Sequence, residues 1–195
     1  MTGSEATRTF GISSFLPREA GRVDPVARVP RPSHLYYLPS GEIYDARRIL
    51  SSPHSSAPRK PASAAQRAGK RYERFATSRL VELAGPCTVH LGPWYRYVDG
   101  SAGARFCQPD LVLELPSCTL VVEAKSSAFG LVDAWWQLFH LYLPVLRRAA
   151  ERGVPLVPLA VCRSFDPAVA LPAEASLINS LQEATPGRFN VMVVR

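Results

Sequence analysis

Apolar positions along this chain fall into a few periodic runs separated by Gly and Pro. From Ala62, the residues Ala64, Ala65, Ala68, Tyr72, Phe75, Ala76, Leu80 and Leu83 follow a helical stripe that stops at Gly85-Pro86, which predicts a helix over 62–84. Two β-rich runs follow, Thr88 to Val98 and Arg105 to Leu115, with Asp99-Gly100 as the turn between them. A third run, Thr119 to Val122, follows Pro116-Ser117 and leads into Glu123-Ala124-Lys125. Residues 131–152 carry Trp135, Trp136, Phe139, Tyr142 and Leu146 and end in Arg147, Arg148 and Arg152, as a helix C-terminus favours; Pro144 should kink that helix. Val154 to Cys162 reads as a buried strand, 173–184 as a helix and Phe189 to Val194 as a last strand. The expected fold is therefore α/β: a mixed β-sheet core in αβββαβ order with helices on both faces.

Residues 1–61 show neither period. They hold eight prolines and nine serines and read as an irregular N-terminal arm ahead of a domain over 62–195. One apolar island interrupts the arm: His34-Leu35-Tyr36-Tyr37, then Pro39-Ser40-Gly41, Ile43-Tyr44 and Ile49-Leu50. It reads as a short hairpin or as a segment docked on the domain.

Charge sharpens this division. The formal charge is +7, with 12 basic and 5 acidic residues in 1–72 but 11 of each in 73–195. A basic stretch of this kind, including Arg47, Arg48, Arg59, Lys60, Arg67, Lys70 and Arg71, suits a polyanion through counterion release, or else a partner protein or a solubilising role. No signal-peptide pattern and no apolar run of membrane-spanning length is present, so the expectation is a cytoplasmic or nucleoid-associated protein, neither secreted nor membrane-bound. Cys87, Cys107, Cys118 and Cys162 lack zinc-ligand spacing and read as small hydrophobes. His34, His54, His90 and His140 have no spacing that suggests a dyad or a ligand set.

The candidate chemistry lies in Asp110, Glu123 and Lys125, with Glu73 in the preceding helix. Adjacent antiparallel strands set the start of one beside the end of the next, and the two-residue period puts Glu123 and Lys125 on one face. Two carboxylates and an ammonium converging on one cleft call for a divalent cation with oxygen preference. The expected ion is Mg2+, with Mn2+ as its substitute, on Asp110, Glu123 and the Ala124 carbonyl. Glu73 would bind a second ion or orient a water, and Lys125 would position the attacking water. Trp94-Tyr95-Arg96-Tyr97 reads either as sheet packing or as a base-stacking strip, and Trp135 with Trp136 as core or as the face of a homodimer.

Pro109-Asp110, twelve intervening residues and Glu123-Ala124-Lys125, set in that order of elements, resemble the PD-(D/E)XK nuclease superfamily. Gly69-Lys70-Arg71-Tyr72-Glu73 and Lys125-Ser126-Ser127 are similar to the corresponding segments of archaeal Holliday junction resolvases. The RecB-like branch carries Gln-x-x-x-Tyr in the helix after the lysine; here Gln137 and Tyr142 are one residue further apart, and Leu141 stands at the motif's position. The resemblance covers residues 64–163. It implies a restriction-endonuclease-like fold and a metal-dependent DNA nuclease, acting on branched or recombination and repair intermediates or as an exonuclease. Gln137 would be an accessory residue beneath the site, and Arg67, Lys70, Arg71 and Arg96 would contact DNA. A second reading keeps the fold without catalysis, as a nucleic-acid-binding or assembly module.

Overall fold

A computed structural model describes residues 35, 38–53, 61–100, 103–150 and 153–195. Its first strand, β1 (Asp45–Ile49), precedes helix α1 (Ala64–Ala84). Ser63 caps α1 with a capping box: its hydroxyl accepts from the Gln66 N–H at 3.1 Å, and its own N–H donates to Gln66 Oε1 at 2.8 Å. Gly85, at φ 67°, ends the helix where the Gly-Pro pair predicts.

Each of the two long β-runs is divided between two sheets. The first gives β2 (Thr88–Leu91) and β3 (Trp94–Val98), and the second gives β4 (Arg105–Cys107) and β5 (Leu111–Glu114). The breaks fall at Gly92-Pro93 and Gln108-Pro109. Proline cannot donate to a ladder, and Gly92 adopts φ 51° at the bend. The two breaks are joined: Gly92 donates its N–H to the Asp110 carbonyl at 2.9 Å, and Gln108 Nε2 donates to the Gly92 carbonyl at 2.7 Å. The result is one bent antiparallel hairpin. Its tip turns at Asp99-Gly100, where the buried Asp99 carboxylate accepts from Arg105 at 2.8 Å and from the Ser40 N–H at 3.0 Å.

The tip forms a three-stranded antiparallel sheet, β1-β3-β4, and the base joins a six-stranded one. Here the island in the arm finds its place. Residues 45–49 pair with β3, Asp45 opposite Val98 through Ile49 opposite Trp94, and Leu35, Leu38 and Ile43 enter the core. The segment thus docks on the domain rather than closing on itself as a hairpin. His34, Tyr36 and Tyr37 lie outside the described residues, as do Arg59 and Lys60.

The main sheet runs β2-β5-β6-β7-β9-β8, where β6 is Thr119–Lys125, β7 Leu156–Cys162, β8 Ala175–Ile178 and β9 Phe189–Val193. Strands β2, β5 and β6 are antiparallel, and β6, β7, β9 and β8 are parallel, so the sheet is mixed. Central β6 and β7 are apolar on both faces because both are covered. On one face Leu111, Leu113, Leu120, Val122, Leu159 and Val161 pack against Tyr72, Ala76 and Leu80 of α1. On the other, Val112, Val121, Ala160 and Val191 pack under a second helical segment.

That segment begins with a 3-10 turn (Ala128–Gly130) and continues as α2 (Leu131–Gln137), a π-helical turn (Leu138–Tyr142) and α3 (Leu143–Ala149). The predicted kink takes the form of this π turn. Pro144 has no N–H to return to His140, and the helix widens in the turn before it, the Leu143 N–H reaching Leu138 five residues back. Trp135 and Trp136 are partly buried against this core, and Trp135 Nε1 donates to Glu174 at 2.7 Å.

The helix expected over 173–184 is not formed. Ala175–Ile178 instead pairs in parallel with β9, with Ile178 buried and Leu177 exposed, and only Leu181–Glu183 makes a 3-10 turn. Pairing with the unfilled edge of β9 outweighs a weak local propensity. Among the described residues no helix is long and apolar enough to cross a membrane.

Candidate active site

Asp110 follows Pro109 directly and precedes β5, whose first pair with β6 is Leu111 opposite Val122. One step further along that register sets Asp110 beside Glu123. The contact is fixed by a backbone hydrogen bond, with the Ala124 N–H donating to Asp110 Oδ2 at 2.8 Å. Alternation along β6 sends Val121, Glu123 and Lys125 toward α2 and leaves Ala124 on the α1 side. Lys125 Nζ then bonds Glu123 Oε1 and Gln137 Oε1, each at 2.7 Å.

Glu123 is buried, and Asp110, Lys125 and Gln137 are half-buried around it. The Asp110 carboxyl is pushed up to about 8, first by burial and then by the charges of Glu123 and Glu73, against the Ala124 N–H and Lys125, which lower it. Glu123 is also raised by burial. Lys125 holds it down most, Glu73 raises it and the Tyr142 hydroxyl lowers it. Glu123 Oε2 is buried with no hydrogen-bond partner, an arrangement native structures rarely leave unresolved.

Glu73 comes from the other face of the sheet. It lies on α1, near enough for its charge to act on both carboxyls, and pairs with Lys70 one turn earlier. Among the described residues no three His, Cys, Asp or Glu side chains gather around one point, so Asp110 and Glu123 stand as a pair with Glu73 beside them. Arg67, Lys70 and Arg71 lie exposed in the first half of α1 at helical-neighbour spacing, with Lys70 engaged by Glu73 and Arg67 by the Ala62 carbonyl. Arg96 lies on the small sheet, with Nη1 3.0 Å from Asp45 Oδ2. A cavity of about 760 Å3 is lined by Arg47, Arg48, Tyr95, Glu114 and Leu146, and none of the clustered carboxylates faces it. The cluster outweighs the cavity as a candidate because its groups converge by register and carry raised pKa values.

Two participants escape a reading of the sequence by strand period alone. Tyr142 lies five residues after Gln137, and the π turn between them carries both onto the Glu123–Lys125 side, where the Tyr142 hydroxyl donates to the Gln108 carbonyl at 3.3 Å. The five-residue spacing followed by Pro144 was the available signal. Gly130 is the other: a Cβ there would meet Lys125 Cγ at 3.0 Å and Cβ and Cδ at 3.1 Å, so the glycine makes room for the lysine stem. Comparison of the chain with protein-family models, with curated proteins and with solved structures gave no significant match in any of the three.

Proposed function

We propose that this chain is a metal-dependent DNA nuclease with a restriction-endonuclease-like site of the PD-(D/E)XK type. The observation that carries the reading is the half-buried Asp110 beside the buried Glu123, whose Oε2 has no partner, with the Lys125 ammonium against Oε1. The donor set fits Mg2+ or Mn2+, because one or two carboxylates plus water are what such an ion takes, and a cation would offset the burial and the carboxylate repulsion that raise Asp110.

Asp110 and Glu123 would hold the ion, with the Ala124 carbonyl as a third oxygen. When bound, a divalent cation supplies Lewis-acid polarisation of the phosphate and a water of lowered pKa. Lys125, steadied by Gln137, orients the attacking water and offsets the charge that grows on the phosphate as one P–O bond forms and the bond to the leaving sugar oxygen breaks. Glu73 orients water at the edge of the pair. Arg67 and Arg71 on α1 would hold the DNA backbone.

Two features favour different branches. Gly69 through Glu73 supports a resolvase-like enzyme acting on branched DNA, while the π turn that reunites Gln137 with Tyr142 supports a RecB-like exonuclease. Incubation of linear, single-stranded, flapped and four-way DNA with Mg2+, Mn2+ or EDTA separates them by the preferred substrate. Metal-dependent cuts absent from Asp110→Asn and Lys125→Ala are the expected result. A second reading rests on the closed contacts of Lys125 with Glu123 and Gln137, which would also suit a purely structural cluster. In that case wild-type protein binds these DNAs and never cuts them.

A further inference from the structure

The small sheet presents an outer face that the core does not use. In β3 the two-residue period sends Tyr95 and Tyr97 into the core, 6% and 1% exposed, and turns Trp94, Arg96 and Val98 outward. Register then builds rows across the strands. Arg47 of β1, Arg96 of β3 and Phe106 of β4 lie side by side, and Ile49 and Trp94 form the next row. Trp94, Phe106, Ile49 and Val98 belong to neither hydrophobic core, and Phe106 is 41% exposed.

Two arginines directly opposite on one face repel each other, and Arg96 is engaged by Asp45, which stands opposite Val98 in the adjoining row. Cations beside outward aromatic rings on a sheet are what an unpaired nucleic-acid strand requires, the rings for its bases and the guanidinium groups for its phosphates. A duplex offers no exposed base faces to stack on.

The face also lies close to the candidate site along the chain. Phe106 precedes Asp110 by four residues, at most about 13 Å of extended backbone. Gly92, two residues before Trp94, is hydrogen-bonded to the Asp110 carbonyl at 2.9 Å. We infer that the outer face formed by Trp94, Phe106, Arg47 and Arg96 binds single-stranded nucleic acid and feeds it to the Asp110–Glu123–Lys125 cluster. As an account of substrate class this rests on the nuclease reading, but as an account of binding it stands apart from it.

The test is fluorescence anisotropy of a labelled oligo-dT with the full chain in EDTA, where no cutting occurs, beside a duplex of equal length. Expected results are single-strand affinity above duplex affinity, a loss of about tenfold in Trp94→Ala and in Phe106→Ala, and near wild-type binding in Trp94→Phe. Arg47→Ala should lower the salt slope by about one. Asp110→Asn should bind like wild type and fail to cut. Unchanged binding in both alanine variants, or duplex bound as tightly as single strand, would overturn the proposal while leaving the nuclease reading intact. If binding depends on Trp94 but no DNA is ever cut, the nuclease reading fails and the binding face stands.

Discussion

Asp110 is the residue whose environment most needs explanation. Its folded-state pKa of about 8 lies above the ordinary 3.8, so the folded protein holds a proton there that the unfolded chain has lost. The associated stability is therefore fully present below pH 3.8 and lost as pH rises to about 8. In EDTA, urea titrations of wild type should show stability falling across that window relative to Asp110→Asn, which lacks the titration. Adding Mg2+ at pH 8 should raise the melting temperature of wild type and not of the variant. At Gly130 the backbone, φ −76°, accepts alanine, so Gly130→Ala should fold. The new methyl group would displace the Lys125 stem, and the cleavage rate should fall by about tenfold to a hundredfold under saturating DNA, as a misplaced catalytic group does.

At the scale of elements, the strand periods and the Gly-Pro breaks carried most of the reading. Asp110, Glu123 and Lys125 were legible because they depend only on antiparallel neighbours and a period of two. The division of each long β-run between two sheets is not legible in the sequence, although Pro93 and Pro109 mark it, because loss of one ladder donor does not say where the strand goes next. Residues 173–184 depart from the helix expected there because nothing local announces an open strand edge. Strand β9 shows how such an edge is organised. Asn190 is fully buried and its amide donates to the carbonyls of Pro158, Thr185 and Arg188 at 2.9, 2.9 and 3.2 Å, while its oxygen accepts from the Thr185 N–H at 3.1 Å. Paired residues of β7 and β9 begin at Leu159 opposite Asn190, so the Asn190 amide serves the carbonyl of Pro158 just before the ladder. Asn190→Ala strands several of these buried groups and should cost about 3 kcal/mol in urea denaturation, with a melting temperature lower by roughly 6–12 °C.

For the whole molecule, the bent hairpin is the feature that joins structure to proposed function. It carries Asp110 at its bend, places the base of the hairpin in the main sheet beside β6, and holds the small sheet over the second helical segment, where Arg148 donates to the Tyr44 carbonyl at 2.8 Å. Positive charge is concentrated before residue 73, on the arm, β1 and the start of α1, while the rest of the chain is neutral. DNA affinity should therefore fall steeply with salt, and a chain lacking residues 1–34, which remove five basic against three acidic side chains, should show a shallower slope in the same titration. The measurement that bears most directly on the central claim is single-turnover cleavage of end-labelled DNA by the full chain with Mg2+, against the same protein in EDTA and against Lys125→Ala and Asp110→Asn with Mg2+. A metal-dependent nuclease gives product only in the first reaction, with DNA binding retained in all four. Equal cleavage by either variant, or no cleavage by wild type on any DNA it binds, would contradict that claim.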